Sequence, residues 1–566
     1  MDIFELLKKE QVIAYFSMEI ALISEIPTYS GGLGILAGDT IRTAADLNIP
    51  FVAITLISRK GYFKQVISED GIQKELPYEW EPEKFLTPLP IKVSVNIEGR
   101  EVFIKPWVYY WTSYMGSNVP VIFLDTDLPE NSPEDRCLTD YLYGGDLNYR
   151  FKQEIVLGIG GSRVLEALGL NVRKYHLNEG HSALLTLELL NKTNDKPIEE
   201  RIEILKEKCV FTTHTPVEAG HDKFSYDLVK KILGDFISYD LLTKFAGENE
   251  LNMTLLALNL SGFVNGVAKR HQEISSLMFP GRKISAITNG VHSFTWTAKS
   301  FRKLYDEYIP GWANEPELLA RVEIIPDEKI WNAHQEAKKE LIDYIFAQTQ
   351  IKFDENVLTL GFARRATAYK RPHLLFSDLN RLRRVKRKGA IQIVYAGKAH
   401  PKDEEGKRII REIFNYIREL KNDIKIVYLQ DYDMNMAKKI ISGVDVWLNT
   451  PQRPLEASGT SGMKAAHNGV INFSVLDGWW IEGHLEGVTG WSIGPSPQEE
   501  KSIENHFQEE IDDLYNKLEY IIIPTYYNRP DEWIDIMKNS IGSIASYFNT
   551  HRMMKRYITD AYFRRL

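Results

Sequence analysis

The sequence predicts an α/β protein made of two doubly wound halves, and three observations carry that reading. Short apolar runs recur between helix-length amphipathic stretches along most of the chain, the pattern of βαβ units around parallel sheets. At 566 residues the chain exceeds what one hydrophobic core supports, so two or three domains are expected. Glycine-rich turns follow apolar runs in both halves, at Gly31-Gly32-Leu33-Gly34 and around Gly459 and Gly462, where open α/β sheets place ligands. Two such halves facing each other would bring loops from the C-terminal strand ends of both into one central cleft.

In the first half, residues 12–16 read as a buried strand, 34–47 as a helix and 51–57 as the next strand. Residues 91–124 are rich in β-branched and aromatic side chains with partial alternation, which predicts strands of a subsidiary sheet. A helix over 153–168, a strand over 174–177, helical stretches over 181–190 and 198–206, and an apolar strand over 209–212 follow. A second α/β unit starts after Asn289-Gly290, with strands at 359–362, 391–396, 424–428 and 444–448. Helix-like stretches separate them, so right-handed crossovers and a parallel sheet are expected. Residues 498–521 read as a charged helix and 533–566 as one or two amphipathic helices. The domains are therefore set at 1–289, 290–535 and a C-terminal helical segment, 536–566.

Hydrophobic residues at 44% and charged residues at 26% are those of an ordinary globular enzyme. A net charge of −8 argues against a nucleic-acid partner, which needs clustered positive charge. The basic run over 381–388 reads instead as the solvated face and end of a helix. Two cysteines, Cys137 and Cys209, without metal-like spacing, argue against a disulfide framework and a zinc site and fit the cytoplasm. The first residues lack the pattern of a signal peptide, and no apolar stretch is long enough to span a bilayer, so no membrane partner is expected.

The string Pro454-Leu455-Glu456-Ala457-Ser458-Gly459-Thr460-Ser461-Gly462-Met463-Lys464 carries the most chemical information. A turn of small residues between a strand and a short helix lets backbone N–H groups approach an anion, with an amine at Lys464 beside it. On composition and spacing alone a solvated surface lysine on an ordinary turn is the favoured reading of Lys464. Four cations, Arg364, Arg365, Lys370 and Arg371, crowd the C-terminal end of the strand at 359–362, an arrangement that is costly unless anions neutralise it. The glycines Gly31 and Gly32 suggest a second phosphate site. A dinucleotide fingerprint is ruled against, because the next glycine after Gly34 is Gly38 and no acidic residue follows until Glu69. His176, His181, His214 and His221 gather around Glu179, but the five-residue spacing of the first two and the lack of HExxH argue against metal. His214 is then either a core histidine or a site residue.

The segment Glu456-Ala457-Ser458-Gly459-Thr460 with Met463-Lys464 and Asn468-Gly469 resembles the cofactor-attachment segment of the α-glucan phosphorylases, the glycogen, starch and maltodextrin phosphorylases. Ser461-Gly462 and Leu476-Asp477-Gly478-Trp479-Trp480 resemble its short, mostly prokaryotic branch. Tyr15-Phe16-Ser17-Met18-Glu19, Tyr29-Ser30-Gly31-Gly32-Leu33-Gly34, Thr213-His214-Thr215, Thr288-Asn289-Gly290 and Arg364-Arg365 with Tyr369-Lys370-Arg371 appear in the family's order. The resemblance implies a GT-B-type glycosyltransferase fold whose final helix returns to the N-terminal domain. It implies pyridoxal 5′-phosphate carried by Lys464 as a Schiff base, with Arg364 and Thr460 on phosphate and Tyr432 beside the cofactor. Arg365 and Lys370 are implied to contact the substrate phosphate, which Gly31 and Gly32 also approach. His214, Asn289 and Glu456 are implied to bind the transferred glucose, next to Ala457, Ser458 and Gly459. Two departures are visible: an arginine at 364 where many members have lysine, and Asp433 in place of a base found in some relatives.

The implied reaction is reversible phosphorolysis of a terminal α-1,4-linked glucose of a glucan by inorganic phosphate, giving glucose 1-phosphate. Pyridoxal chemistry usually needs an amine substrate, which neither sugar nor phosphate offers. The family instead uses the cofactor's phosphate for proton exchange with substrate phosphate. Two rivals come from other classes: a nucleotide-sugar-dependent glucan synthase-type glucosyltransferase, which has no use for Lys464, and a non-catalytic glucan-binding protein suggested by 11 tryptophans. The chain opens close to its first core strand, so no nucleotide or phosphoserine switch is expected. Residues 141–153 resemble a shortened gate loop. Relatives are often dimers or larger, which makes a homo-oligomer an implied state.

Overall fold

The computed structural model describes residues 3–193, 195–217, 220–497 and 503–563. The start of the charged helix expected over 498–521, the first two residues of the chain and the last three of the C-terminal segment lie outside the described residues. The chain forms two compact units. One comprises Met1–Phe63, Pro77–Ile287 and Met553–Leu566, the other Lys64–Leu76 and Thr288–Arg552.

The first unit is built on a mixed sheet. Its strands run, in spatial order, Ser285–Ala286, Phe263–Gly266, Cys209–Thr212, Val172–Asn178, Val12–Ser17, Phe51–Leu56, Asn118–Asp125, Arg100–Thr112 and Thr87–Pro88. Val12–Ser17 lies between two parallel neighbours and is buried along its whole length, as its unbroken apolar run requires. Residues 91–124 mostly extend the main sheet rather than forming a subsidiary one; Val93–Ile97 alone branches off it, pairing antiparallel with Arg100–Thr112. Asn118–Asp125 pairs in parallel with Phe51–Leu56, and Arg100–Thr112 folds back antiparallel onto it, so the pair extends the main sheet. Burial along Arg100–Thr112 partly alternates, the mark of an antiparallel strand with one solvated face.

Two helices matter for the site. Gly32–Asp46 starts at the glycine turn, and Leu147–Ile155 starts where Asp146 accepts the N–H of Tyr149 at 2.9 Å. The latter helix passes through a π-helical stretch, Val156–Gly160, into Gly161–Ala167, so the helix expected over 153–168 begins earlier and is interrupted. The final segment packs within this unit: Tyr562 Oη lies 2.6 Å from His176 Nδ1, and Tyr557 Oη accepts from Asn265 at 3.0 Å. Burial pushes the His176 imidazolium down to about 3, which makes this residue a neutral core histidine.

The second unit holds a six-stranded, wholly parallel sheet ordered Lys425–Leu429, Ile391–Ala396, Leu358–Ala363, Val446–Asn449, Ile471–Val475 and Gly490–Ile493. The last two strands escape a search for apolar runs because asparagine, serine and glycine interrupt them. Asp445, fully buried, anchors the start of the central strand. It accepts from Lys338 Nζ at 2.6 Å and from the N–H of Thr359 at 2.7 Å, and lies 2.8 Å from His334 Nε2. The hairpin Lys64–Ile67 and Gln73–Leu76 belongs to this unit, where Gln65 and Gln73 donate to the carbonyls of Gly397 and Ala399, both at 2.9 Å.

Candidate functional site

In the second unit the turn after strand Val446–Asn449 leads into the six-residue helix Ser461–Ala466, which carries Lys464. The lysine is buried, and its Nζ lies 3.9 Å from the centroid of the Trp296 ring. An amine on an aromatic face is both shielded from water and electrostatically favoured there. This is not the solvated surface lysine that composition alone allows.

The cations after strand Leu358–Ala363 divide into three roles. Arg364 Nη2 and Lys370 Nζ donate to one carboxylate oxygen, Glu456 Oε2, at 2.6 and 2.5 Å. Burial alone would raise the Glu456 carboxyl, but the charges of Arg364 and Lys370 hold it down to about 2. Arg371 turns away. In a left-handed conformation at φ +46° it donates to the carbonyls of Thr450 and Pro451 at 2.9 and 2.7 Å and pairs with buried Glu510 at 2.6 Å. Arg365 stands exposed.

In the same unit, Ser458 Oγ, two residues beyond Glu456, and Asn289 Oδ1 are buried without a hydrogen-bond partner in the protein. Ala457 and Gly459 are half-buried, the latter at φ +84°. Thr460 precedes the Lys464 helix without capping it through its side chain. Tyr432 feels the Arg364 charge. Desolvation pushes its phenol well above the usual range, Asp433 adds to that shift and Arg364 opposes it. Asp433 itself caps the helix Met434–Gly443, accepting the N–H of Met436 at 2.8 Å. That gives the departure from some relatives a structural role.

In the first unit the glycine turn is held by a carboxylate to which the sequence assigned no role. Glu19, buried, accepts the N–H groups of Ser30 at 2.5 Å and Gly31 at 3.1 Å, and the hydroxyl of Tyr143 at 2.9 Å. The Gly31 N–H is thus committed, whereas Gly32 opens the helix Gly32–Asp46 with one of the N–H groups that every helix leaves outside its ladder. A Cβ at Gly34 would lie 2.7 Å from Glu19 Oε2, so the approach of Glu19 requires glycine there.

His214 follows strand Cys209–Thr212. Its Nε2 lies 2.6 Å from Asn178 Oδ1, which assigns the ring proton to Nε2 and leaves Nδ1 as an acceptor. Burial, with His271, His176 and His181 adding, drives its conjugate acid down to about 3, so the ring is neutral. Glu179, weighed in the sequence only as a metal ligand, supports this residue: it accepts the N–H of His214 at 2.8 Å and the hydroxyl of Thr215 at 3.0 Å. Among the described residues no group of three or more His, Cys, Asp or Glu side chains is placed to hold a metal ion. Glu19 stands in one of the family-like strings and Glu179 among the clustered histidines, but neither residue's backbone partners are readable from its local sequence.

Pyridoxal 5′-phosphate asks for a shielded amine, aromatic surroundings and cationic donors for a phosphate monoester. Lys464 on the Trp296 face meets the first two needs. Arg364 and Lys370 already converge on an oxyanion, and the orphan Ser458 hydroxyl adds a further donor. The residues present fit the group.

Comparison with known proteins finds similar chains. The family model for carbohydrate phosphorylases matches residues 237–489. The chain is 42% identical to the maltodextrin phosphorylase of Thermococcus litoralis, over 98% of this chain and 71% of that protein. It is 37% identical to the glycogen phosphorylase of Aquifex aeolicus, over 97% of this chain and 86% of that one. The glycogen phosphorylase of Mycobacterium tuberculosis is 33% identical, over 97% and 70% respectively. Likeness of this degree along nearly the whole chain, on a mixed α/β framework with parallel sheets, means that the chain belongs to the carbohydrate phosphorylase family.

Proposed function

We propose that this protein is a pyridoxal-phosphate-dependent α-1,4-glucan phosphorylase, a GT-B-type glycosyltransferase. It moves the terminal glucose of glycogen, starch or maltodextrin to inorganic phosphate, reversibly and with retention, giving α-glucose 1-phosphate. The observation that carries the reading is the shared Glu456 oxygen between Arg364 and Lys370, in the turn that leads to buried Lys464.

In this reading Lys464 holds the cofactor, with Arg364 and Thr460 as donors to its phosphate and Tyr432 beside it. When bound, the group supplies a phosphate monoester able to exchange a proton with inorganic phosphate. Arg365 and Lys370 bind inorganic phosphate, and their charge offsets the repulsion between two phosphates. The glycine turn contributes through Gly32, while Gly31 keeps the turn in shape through Glu19. Inorganic phosphate gives its proton to the glycosidic oxygen, and the shortened glucan leaves with it. An oxygen of the same phosphate then bonds to the anomeric carbon on the face just vacated, which gives retention. The two-carboxylate device of glycosidases is not needed. Asn289, Glu456 and the Ala457-Ser458-Gly459 turn hold the sugar's hydroxyls, and neutral His214 accepts from one through Nδ1.

The 1–289 segment thus serves the glucan and the phosphate-side glycine turn, and 290–535 carries the cofactor. Of the C-terminal segment 536–566, only the residues from Met553 on complete the first unit, those before it packing in the second. The protein works in the cytoplasm. No described helix is long and apolar enough to cross a membrane.

Incubation with maltodextrin, with and without phosphate, tests the activity: glucose 1-phosphate must form only when phosphate is present. Borohydride treatment followed by peptide mapping must find pyridoxal fixed on Lys464. A pyridoxal-free preparation with full activity would end the proposal.

A further inference from the structure

The string Leu476-Asp477-Gly478-Trp479-Trp480 has so far only marked a branch of the family. In the structure it lies against the Glu456–Gly459 turn and holds its backbone at successive points. Asp477, buried, accepts the N–H of Glu456 through Oδ2 at 2.9 Å and the N–H of Gly478 through Oδ1 at 2.9 Å. The next residue but one, Trp479, donates its N–H to the Ser458 carbonyl at 3.0 Å. Between them Gly478 stands at φ +55°, and a Cβ there would lie 2.4 Å from the Ser458 oxygen and 3.0 Å from that of Glu456. Only glycine permits so close an approach of two backbones.

The clamped turn is the one whose side chains matter. Glu456 neutralises Arg364 and Lys370, and the Ser458 hydroxyl is buried without a protein partner. A backbone shift of an ångström at Glu456 would misplace both. Binding geometry of that kind is held by supporting hydrogen bonds rather than by the contacting residues themselves.

We propose that Asp477 is a positioning residue for sugar recognition: its carboxylate fixes the Glu456–Gly459 turn so that Glu456 and Ser458 present to the hydroxyls of the glucosyl unit. The inference rests on the phosphorylase reading given above. It assigns Asp477 no contact with substrate or phosphate. Its loss therefore weakens the grip on glucan directly, while phosphate, which meets the turn only through Lys370 and Arg364, is affected far less and pyridoxal stays on Lys464.

The test compares Asp477→Asn and Gly478→Ala with the unsubstituted holoenzyme. The amide offers one oxygen where two N–H groups need acceptors, and the added methyl pushes on the Ser458 carbonyl. Each variant is expected to raise KM for maltoheptaose about tenfold, with KM for phosphate within twofold and pyridoxal per chain unchanged. Unaltered KM for maltoheptaose in both variants overturns the proposal. Equal rises in both KM values, or failure of both variants to fold by circular dichroism, assign the clamp to stability alone and also overturn it. Absence of glucose 1-phosphate from the unsubstituted protein defeats the proposed function instead. The clamp is then judged by calorimetric titration with maltoheptaose, where equal affinities of the variants and the unsubstituted protein overturn it.

Discussion

Glu179 Oε2 accepts the backbone N–H of His214 at 2.8 Å, so a buried carboxylate sets the position of a histidine 35 residues further along the chain. The glutamate sits at φ +72°, a backbone region costly for a side chain of its size by roughly 1–3 kcal/mol. Burial pushes its carboxyl up to about 7, although the His214 N–H, the Thr215 hydroxyl and the Gly180 N–H all favour the charged form. Asp222 adds to the rise.

A pH dependence of stability follows from that shift. The folded protein holds the Glu179 proton more tightly than the unfolded chain, whose carboxyl titrates near 4.3. Stability therefore falls as pH rises from about 4.3 to about 7 and is level above, by up to about 4 kcal/mol from this group. Asp477, lifted to about 7 mainly by burial, has the same sign. Urea midpoints measured from pH 5 to 8 should fall less steeply in Glu179→Gln than in the unsubstituted protein; parallel slopes would contradict the assignment.

Glu456 works in the opposite direction. Held down to about 2 by Arg364 and Lys370, its carboxyl contributes stability above about pH 4.5 that is lost as pH falls through about 2. Glu456→Gln leaves two nearly buried cations without their shared oxyanion and is expected to cost roughly 3–5 kcal/mol. Inorganic phosphate can take the place of the carboxylate, so it should raise the Tm of Glu456→Gln more than that of the unsubstituted protein. Thermal melts across a phosphate series decide the point, and equal shifts would show that the cations do not receive phosphate.

The strands over 391–396 and near 359–362 were legible because parallel strands buried along their whole length are mostly apolar, and the edge strand near 424–428 because it keeps a short apolar run from Ile426 to Leu429. The strand expected from Val444 starts at Val446, since Asp445 is drawn into the Lys338 and His334 network, a tertiary event. The site divides likewise. Lys464, Glu456 and the cations were readable from one contiguous string and one dense cluster of charge. Arg371 shares that cluster and yet serves structure, because a left-handed turn points it at Thr450 and Pro451. Glu19 and Asp477 act through backbone N–H groups far along the chain, and nothing in their local sequence records such partners.

Lys464→Ala removes the amine and leaves a cavity beside Trp296. The purified variant should carry no pyridoxal absorbance and form no glucose 1-phosphate, while its circular dichroism stays native. Lys464→Arg keeps a cation over the ring but offers no attachment point, so it too should be colourless. Stoichiometric pyridoxal in either variant would move the attachment to another lysine.

Glu19 and Tyr143 make the last prediction separable from general stability. The Tyr143 hydroxyl donates to Glu19 Oε1 at 2.9 Å, while Oε2 of the same carboxylate holds the N–H groups of Ser30 and Gly31. Tyr143 also lies under the Arg150 guanidinium, 4.5 Å from its ring centroid. Tyr143→Phe removes one hydrogen bond and keeps the ring, so about 1 kcal/mol of support for the turn is lost and KM for phosphate rises about fivefold. Glu19→Gln keeps the oxygen that accepts one bond and loses charge, with a larger rise. Because both act on one turn, the double variant should be no worse than Glu19→Gln alone, which a double-mutant cycle on KM for phosphate measures. Additive effects would mean that Tyr143 reaches phosphate binding by a route other than Glu19.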